Sequence, residues 1–213
     1  DENPVSIASN GVIYRTDKVG LIPAILTKWF EQRVEYRKLA KKFSDAGDEE
    51  KYNYFNRRQY LQKVLLNSIY GVLGLSVFRF YDTDNATAVT TTGQSLIKFT
   101  KKIANNFYNK ELSDDKDYCI YIDTDSVFYS AIPLIEKRFP NEKLSEVMMT
   151  QRILEIASEV QNYINLGYDY FAQRFCNVGD EHQFEIKQEV IAKSGLFITK
   201  KRYGLKIIND NGK

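Results

Sequence analysis

The sequence is poor in the residues that most often build metal and disulfide sites. It contains a single histidine, His182, and two cysteines, Cys119 and Cys176, which form no Cys-x-x-Cys pair. These counts exclude a histidine-based zinc-protease motif and favour neither a thiolate metal site nor a disulfide framework. Any metal ion would need oxygen ligands, which suit magnesium, manganese or calcium. The cysteine usage predicts an intracellular protein.

Long apolar runs and a strong net charge are also absent. No apolar stretch approaches the ~20 residues of a membrane span, so we expect no membrane partner. The opening residues 1–4 lack the basic-then-apolar order of a signal peptide, and the absent initiator methionine predicts a fragment of a longer protein. The formal net charge of +2 is too small to indicate a nucleic-acid binder by bulk charge. The 43% of hydrophobic residues is typical of a globular protein with a core.

Two long helices dominate the first third of the sequence. Apolar residues recur at helical spacing from about 24 to 44 and again from 49 to about 71. The loop over 44–48 is so short that the helices must form an antiparallel hairpin. On the second helix we expect the inward side chains to be Tyr52, Phe55, Leu61, Val64, Leu65 and Ser68.

One face of this hairpin carries basic and polar residues. Those of the second helix are spaced by four and three residues and therefore share a face, and two arginines form a matching stripe on the first helix. A basic face is usually solvated surface, but a triphosphate needs several cationic donors converging from one direction. The face consists of Arg33, Arg37, Lys63, Asn67, Tyr70 and Gly71.

Two aspartates are predicted at the bend of a β-hairpin over 117–131. The run Tyr-Ile-Asp-Thr-Asp-Ser at 121–126 places Asp123 and Asp125 at a turn between apolar and aromatic strands. Phosphoryl transfer uses two divalent ions, about 3.5–4 Å apart, which carboxylates hold. A solvated turn remains an equal alternative. The other Asp-Thr-Asp copy, at 82–84, precedes a predicted helix and is better explained by capping.

The remaining sequence predicts helices and a basic strand pair. We expect a helix from 86 to about 109, capped by Asp84 or Asn85, and a second helix from 144 to about 175, broken near Gly167. Two or three strands are predicted over 184–208, with the basic run 200–203 inside a strand. Basic residues next to an aromatic residue are suited to binding a nucleic-acid backbone. An equal alternative is an edge strand whose lysines prevent pairing with another chain.

Three of these motifs resemble, in the same order, signatures of the B-family DNA polymerases. Residues 63–71 resemble the Lys-x-x-x-Asn-Ser-x-Tyr-Gly motif of the fingers, 121–126 the Tyr-x-Asp-Thr-Asp-Ser motif of the palm, and 200–203 the Lys-Lys-x-Tyr motif near the primer. The resemblance extends through nearly the whole chain, with particular similarity to the polymerases of T-even-like phages. It implies an α+β fold with a palm-proximal segment at 1–20, a fingers helical hairpin at 21–72 and a partial palm at 73–213.

The resemblance implies nucleotide binding by the hairpin. Lys63 would contact the triphosphate and protonate the departing pyrophosphate, which makes it a catalytic residue. Asn67 and Tyr70 would border the nascent base pair, and Gly71 would let that pair approach the backbone. The basic pair on the facing fingers helix corresponds to Arg33 and Arg37.

For the palm, the resemblance implies two magnesium ions. Asp125 would be the principal metal ligand and Asp123 an adjacent catalytic acid of the same metal site. The second essential aspartate is expected upstream, because the family's Asp-x-x-Ser-Leu-Tyr-Pro-Ser motif has no counterpart in this sequence. The implied contacts to primer DNA come from Thr124, Lys200, Lys201, Arg202 and Tyr203.

The implied function is template-directed DNA synthesis in the complete enzyme, with the fragment alone inactive. Its partners would be primer–template DNA, deoxynucleoside triphosphates and a sliding clamp, in the host cytoplasm if the protein is phage-encoded or in another infected cell if it is viral. We expect the hairpin cations to face the turn that carries Asp125. Two alternatives stay open: a non-catalytic nucleic-acid-binding relative, and a helical interaction module with fortuitous motifs.

Overall fold

A computed structural model describes residues 4–142, 145–179 and 182–210. The chain divides into two compact units, Asp1–Thr90 and Thr91–Lys213. Within the described ranges, long helices accompany three two-stranded antiparallel sheets, which confirms the predicted α+β class. A search of the same ranges finds no helix with the length and apolar character of a membrane span.

The first unit begins with a small hairpin and continues into the helical hairpin. Strand β1 (Val5–Ile7) pairs with β2 (Ile13–Arg15), and helices α1 (Leu21–Asp45) and α2 (Glu49–Leu73) follow. The turn between the helices places Gly47 at a φ of 71°, in the left-handed region that glycine adopts without a Cβ penalty. The predicted helical hairpin is confirmed.

The inward face of α2 differs from the prediction. At the tip, Phe43 stacks on Phe55 with ring centroids 5.5 Å apart, but farther along the seam the side-chain amide of Gln62 donates to Gln32 at 2.9 Å. The helical face that contains Tyr52 and Phe55 continues, at 3.6 residues per turn, to Gln62. The prediction instead placed the apolar residues of these later turns on the inward face. Four residues expected inside are exposed on α2: Leu61, Val64, Leu65 and Ser68.

Helix α3 (Thr83–Leu112) crosses the boundary between the units and begins three residues earlier than predicted. Its cap is the Asp82 carboxylate, which accepts a hydrogen bond from the Asn85 amide at 3.0 Å, and not the expected Asp84 or Asn85. The structural interpretation of the 82–84 copy is confirmed, since its first acid satisfies an N-terminal amide of the helix. The Tyr14 hydroxyl donates to the Asn85 side chain at 2.7 Å and ties β2 to this helix start.

The second unit is organised by α3 and the long helix α5 (Glu146–Cys176). The predicted break of α5 near Gly167 is wrong, because the helix runs through this residue without interruption. A Cβ at Gly167 would lie 3.3 Å from the side chain of Ile103 on α3. The glycine therefore serves close helix packing and not a kink. Leu144, where the prediction began this helix, lies outside the described residues.

A short helix that the sequence analysis missed completes the core. Helix α4 (Ile132–Arg138) buries Leu134 and Ile135 against the α3 residue Tyr108. Arg138 then joins the neighbouring helices through bonds to Glu111 on α3 and Glu159 on α5. The helix is only seven residues long, too short for a hydrophobic periodicity to reveal it.

Two hairpins provide the strands of the second unit. Strand β3 (Cys119–Asp123) pairs with β4 (Ser126–Tyr129), as predicted. Strand β5 (Val190–Thr199) pairs with β6 (Arg202–Asp210), which settles the predicted two or three strands as two in the described ranges. The extended segment before β5 is held on α5 by Asn165, whose side-chain amide donates to the carbonyl of Ile186 and accepts from its amide.

A buried hydroxyl pair between α3 and α5 generates a stability prediction. Thr100 is fully buried, bonds the hydroxyl of Tyr168 at 2.6 Å and donates to the Leu96 carbonyl at 2.8 Å. Thr100→Val leaves the Tyr168 hydroxyl without its partner, so we expect a loss of about 1–3 kcal/mol in the free energy of unfolding. Tyr168→Phe leaves the Thr100 donor satisfied and should cost about 1 kcal/mol or less.

Urea unfolding of the two variants and of the double variant measures the difference. A Tyr168→Phe variant that is less stable than Thr100→Val would contradict the assignment of donor and acceptor.

Candidate functional site

The acidic turn between β3 and β4 presents one free carboxylate. Asp123 pairs with Ser126 across the hairpin, so Thr124 and Asp125 form a two-residue turn, with Thr124 at a φ of 54°. The Asp125 amide donates to the Asp123 carbonyl at 2.6 Å and closes the turn. The Asp125 side chain is exposed, and in the described ranges its carboxylate has no ion-pair or hydrogen-bond partner.

The basic run forms the turn of the β5–β6 hairpin and does not lie within a strand. Thr199 pairs with Arg202, which leaves Lys200 and Lys201 as the two turn residues, and Lys201 adopts a left-handed φ of 64°. The prediction of a strand through Lys200 and Lys201 is therefore wrong, although Arg202 and Tyr203 do begin β6. Two-residue hairpin turns demand positive φ, and no glycine marks this one in the sequence.

The acidic and basic turns meet. The Lys201 ammonium donates to the Asp123 carboxylate at 3.0 Å and to the Thr124 hydroxyl at 3.1 Å. The main-chain amide of Lys201 donates to the Tyr121 hydroxyl at 2.6 Å. We call this group of residues the paired turns: Tyr121, Asp123, Thr124, Asp125, Lys200 and Lys201. The structure thus brings together residues that the sequence places about 80 positions apart.

Four aromatic rings hold the paired turns against each other. Tyr121 and Phe128 come from the β3–β4 hairpin, and Phe197 and Tyr203 come from the β5–β6 hairpin, with each pair in register. The rings lie between 5.2 and 6.0 Å apart, centroid to centroid. Sequence analysis missed this aromatic cluster as a functional feature. The in-register aromatics were visible in the sequence, but nothing in the sequence shows that the two hairpins pack together.

The ion pair gives Asp123 and Asp125 different electrostatic surroundings. The hydrogen bond from Lys201 holds the pKa of the Asp123 carboxyl below its ordinary value, although partial burial opposes this effect. The same bond raises the pKa of the Lys201 ammonium. Both groups therefore stay charged at neutral pH and neutralise each other. Asp125 alone keeps a carboxylate free to bind a cation.

The donor set fits part of a magnesium site. Magnesium is usually bound through one or two carboxylates together with water and substrate phosphates. Asp125 offers one accessible carboxylate, and Asp123 is a second acid two residues away whose charge Lys201 shares. Within the described ranges, no group of three or more histidine, cysteine, aspartate or glutamate side chains could hold a metal.

The helical hairpin of the first unit carries a separate cluster of cations. The bond between Gln62 and Gln32 fixes the register of α1 against α2. Arg33 and Lys63 each follow one of these glutamines, and each residue advances 1.5 Å along its helix axis. Because the helices are antiparallel, the two cations lie within about 3 Å of each other along the hairpin axis. No carboxylate in the described ranges pairs with Arg33, Arg37 or Lys63.

Arg33 is the most constrained of these cations. Its Nε is buried and has no hydrogen-bond partner among the described residues. Burial lowers the pKa of its guanidinium, and the neighbouring positive charge of Arg37 lowers this pKa further. Two neighbouring guanidinium groups without a carboxylate partner in the described ranges are suited to receive an anion.

The polar face of α2 is exposed as predicted. Lys63, Asn67 and Tyr70 all reach solvent on one side of the helix, followed by Gly71. A Cβ at Gly71 would meet no other atom within 4 Å. Packing inside the described chain therefore does not explain a glycine at this position.

Comparison with known proteins gives a match over nearly the whole chain. The sequence matches the model of the family described as DNA polymerase family B over residues 2–213. It is 26% identical, over 265 aligned residues, to a DNA-directed DNA polymerase of Escherichia phage RB69, which covers 97% of this chain and 29% of the relative. A DNA-directed DNA polymerase of Enterobacteria phage T4 is 32% identical over 169 residues, covering 71% of this chain and 18% of the relative.

The similarity extends beyond phages. DNA polymerase 1 of Pyrococcus abyssi is 28% identical over 197 residues, which cover 92% of this chain and 20% of that relative. The chain therefore spans less than a third of the length of each of these relatives. The two phage proteins confirm the resemblance to T-even-like phage polymerases inferred from the motifs.

The ion pair of the paired turns generates a prediction about pH. Because the pKa of Asp123 is lowered in the folded state, the pair stabilises the fold above the ordinary aspartate pKa, and this contribution is lost as pH falls through the lowered value. Lys201→Met should raise the pKa of Asp123. Carboxyl-detected NMR titration in the presence of a chelator measures the change.

The adjacent lysine provides the matched control. Lys200 acts on Asp123 only through a weaker, longer-range attraction, so Lys200→Met should shift the same pKa much less. Equal shifts in the two variants would show that the direct bond does not govern the titration.

Proposed function

The chain belongs to DNA polymerase family B, and we propose that it contributes part of the active site for template-directed DNA synthesis. The reaction transfers a nucleotidyl group from a deoxynucleoside triphosphate to a primer 3′-hydroxyl. The observation that carries this proposal is the paired turns: the free carboxylate of Asp125 lies in the same turn as Asp123, whose carboxylate bonds the Lys201 ammonium.

Asp125 is the proposed magnesium ligand of this chain, with Asp123 as the adjacent acid. Two bound magnesium ions would activate the attacking hydroxyl and stabilise the charge on the leaving oxygen. Asp123 already forms an ion pair with the Lys201 ammonium at 3.0 Å, so its contribution to metal binding is secondary. Thr124, whose hydroxyl donates to Asp123 at 3.0 Å, would lie near the primer end.

The basic turn is the proposed primer contact. Lys200 and Arg202 are exposed and have no ion-pair partner within the described ranges, so both are available to DNA phosphates. Lys201 and Tyr203 would hold the primer from the side of the acidic turn. Such contacts give affinity that falls with salt, because each neutralised phosphate releases counterions.

The hairpin cations are the proposed triphosphate site. Arg33 and Arg37 would neutralise the phosphates, since neither guanidinium pairs with a carboxylate in the described ranges. The Nζ of Lys63 would contact the triphosphate and deliver a proton to the departing pyrophosphate. Asn67, Tyr70 and Gly71 would border the nascent base pair.

The partners that follow are primer–template DNA and deoxynucleoside triphosphates, with a sliding clamp as a further partner of the complete protein. A phage enzyme of this kind would work in the cytoplasm of its host, and a viral one in an infected cell. We propose that the 213-residue chain does not extend primers by itself, because it contains no second metal-binding aspartate motif.

Asp125→Asn in the complete polymerase tests the proposal. Losing the charge that holds the metal should reduce magnesium-dependent primer extension by about 10³-fold or more, while primer–template affinity stays within about twofold because phosphate contacts dominate DNA binding. Single-turnover extension and fluorescence anisotropy measure the two quantities. The control is Asp115→Asn, which removes an exposed acid outside the paired turns.

Two outcomes would count against the proposal. Unchanged extension by Asp125→Asn would favour a non-catalytic DNA-binding role for the paired turns. Magnesium-dependent incorporation by the 213-residue chain alone would refute its predicted inactivity.

Arg33→Ala and Lys63→Ala test the triphosphate site. Each variant loses charge-assisted hydrogen bonds worth about 1.5–3 kcal/mol, so the KM for the nucleotide, or its Kd before chemistry, should rise about 10- to 100-fold. The matched control is Lys38→Ala, which removes an exposed charge from another face of α1. Nucleotide affinities unchanged in Arg33→Ala and Lys63→Ala would instead favour a helical interaction module.

A further inference from the structure

The backbone of Lys201 adopts an unfavourable conformation at its hairpin turn, and its amide bonds a side chain of another hairpin. At a φ of 64°, Lys201 occupies the left-handed region that residues with a Cβ rarely adopt. Its amide donates to the Tyr121 hydroxyl at 2.6 Å. The acceptor therefore comes from β3, on the other hairpin, and not from the turn itself.

The side chain of Lys201 is also held in place. The Lys201 ammonium reaches Asp123 and Thr124, while 63% of its side chain remains accessible to solvent. Tyr121 precedes Asp123 by two residues on one strand, so both anchors of Lys201 belong to the same short segment. Such a segment can set the height and direction of the lysine relative to Asp125.

The hydroxyl of Tyr121 is itself fixed in position. Its ring packs on Phe128, Phe197 and Tyr203, at centroid distances of 6.0, 5.2 and 5.4 Å. The Phe197 ring needs the space left by Gly195, where a Cβ would lie 2.9 Å from the ring. The aromatic cluster therefore gives the hydroxyl a defined place, as a positioning group requires.

We propose that Tyr121 is a positioning residue for DNA synthesis: its hydroxyl sets the basic turn so that Lys201 stays beside Asp123 and meets the primer end. The proposal rests on the proposed function of the paired turns. It separates two contributions of Tyr121, because the ring packs the hairpins together and the hydroxyl orients the lysine.

Tyr121→Phe keeps the ring and removes only the hydroxyl. In the complete polymerase we expect primer–template affinity to fall about three- to tenfold, the cost of one lost hydrogen bond, while kcat at saturating DNA and the KM for the nucleotide stay within about twofold of their original values. In the chain itself, hydrogen exchange of the Lys201 amide, followed by NMR, should accelerate about tenfold or more.

Tyr129→Phe is the matched control. Tyr129 lies in the same hairpin, and its hydroxyl also bonds a main-chain group, donating to the Lys101 carbonyl at 3.0 Å. A purely structural effect of losing a tyrosine hydroxyl would appear in both variants. We expect Tyr129→Phe to leave both DNA affinity and Lys201 exchange unchanged.

Gly195→Ala provides an independent second variant. It displaces the Phe197 ring without touching the Tyr121 hydroxyl, and it should also accelerate Lys201 exchange and weaken primer binding. Wild-type DNA affinity in Tyr121→Phe, or equal losses in Tyr121→Phe and Tyr129→Phe, would overturn the proposal. If the complete wild-type protein incorporates no nucleotide, the proposed function fails, whereas unchanged Lys201 exchange in Tyr121→Phe defeats the positioning role alone.

Discussion

The bond between the Lys201 ammonium and the Asp123 carboxylate is the constraint on which the second unit's site depends. It joins two turns that belong to separate two-stranded sheets. Neither sheet could be stable alone at this size, so the hairpins need each other as well as the helices. The aromatic cluster supplies apolar contact between them, and the ion pair selects which turns face each other.

This arrangement gives two aspartates that are close in sequence different surroundings. Two adjacent carboxylates repel each other, and the repulsion would favour protonating one of them. Lys201 pairs with Asp123 and neutralises its charge. Lys201 thereby reduces the repulsion that Asp123 would exert on Asp125, although it does not contact Asp125. The turn between β3 and β4 is left with one unpaired negative charge, that of Asp125.

Prediction from sequence succeeded where a pattern is local. The hairpin of α1 and α2 follows from periodicity and a short loop, and the acidic turn follows from two flanking strands. It failed where contacts between residues far apart in the sequence determine the local conformation. The prediction of a helix break at Gly167 was wrong because its packing partner Ile103 lies on another helix. The left-handed turn at Lys201 was not predicted because it contains no glycine, and the Tyr121 hydroxyl that its amide bonds belongs to another hairpin.

The cations of the helical hairpin and the free carboxylate of Asp125 lie in different units of the described chain. Arg33, Arg37 and Lys63 lack an anion, and Asp125 lacks a cation. Arg138, by contrast, is paired with Glu111 and Glu159 inside the second unit. A surface that only bound DNA phosphates would gain nothing from the free carboxylate of Asp125, because a carboxylate and a phosphate repel each other.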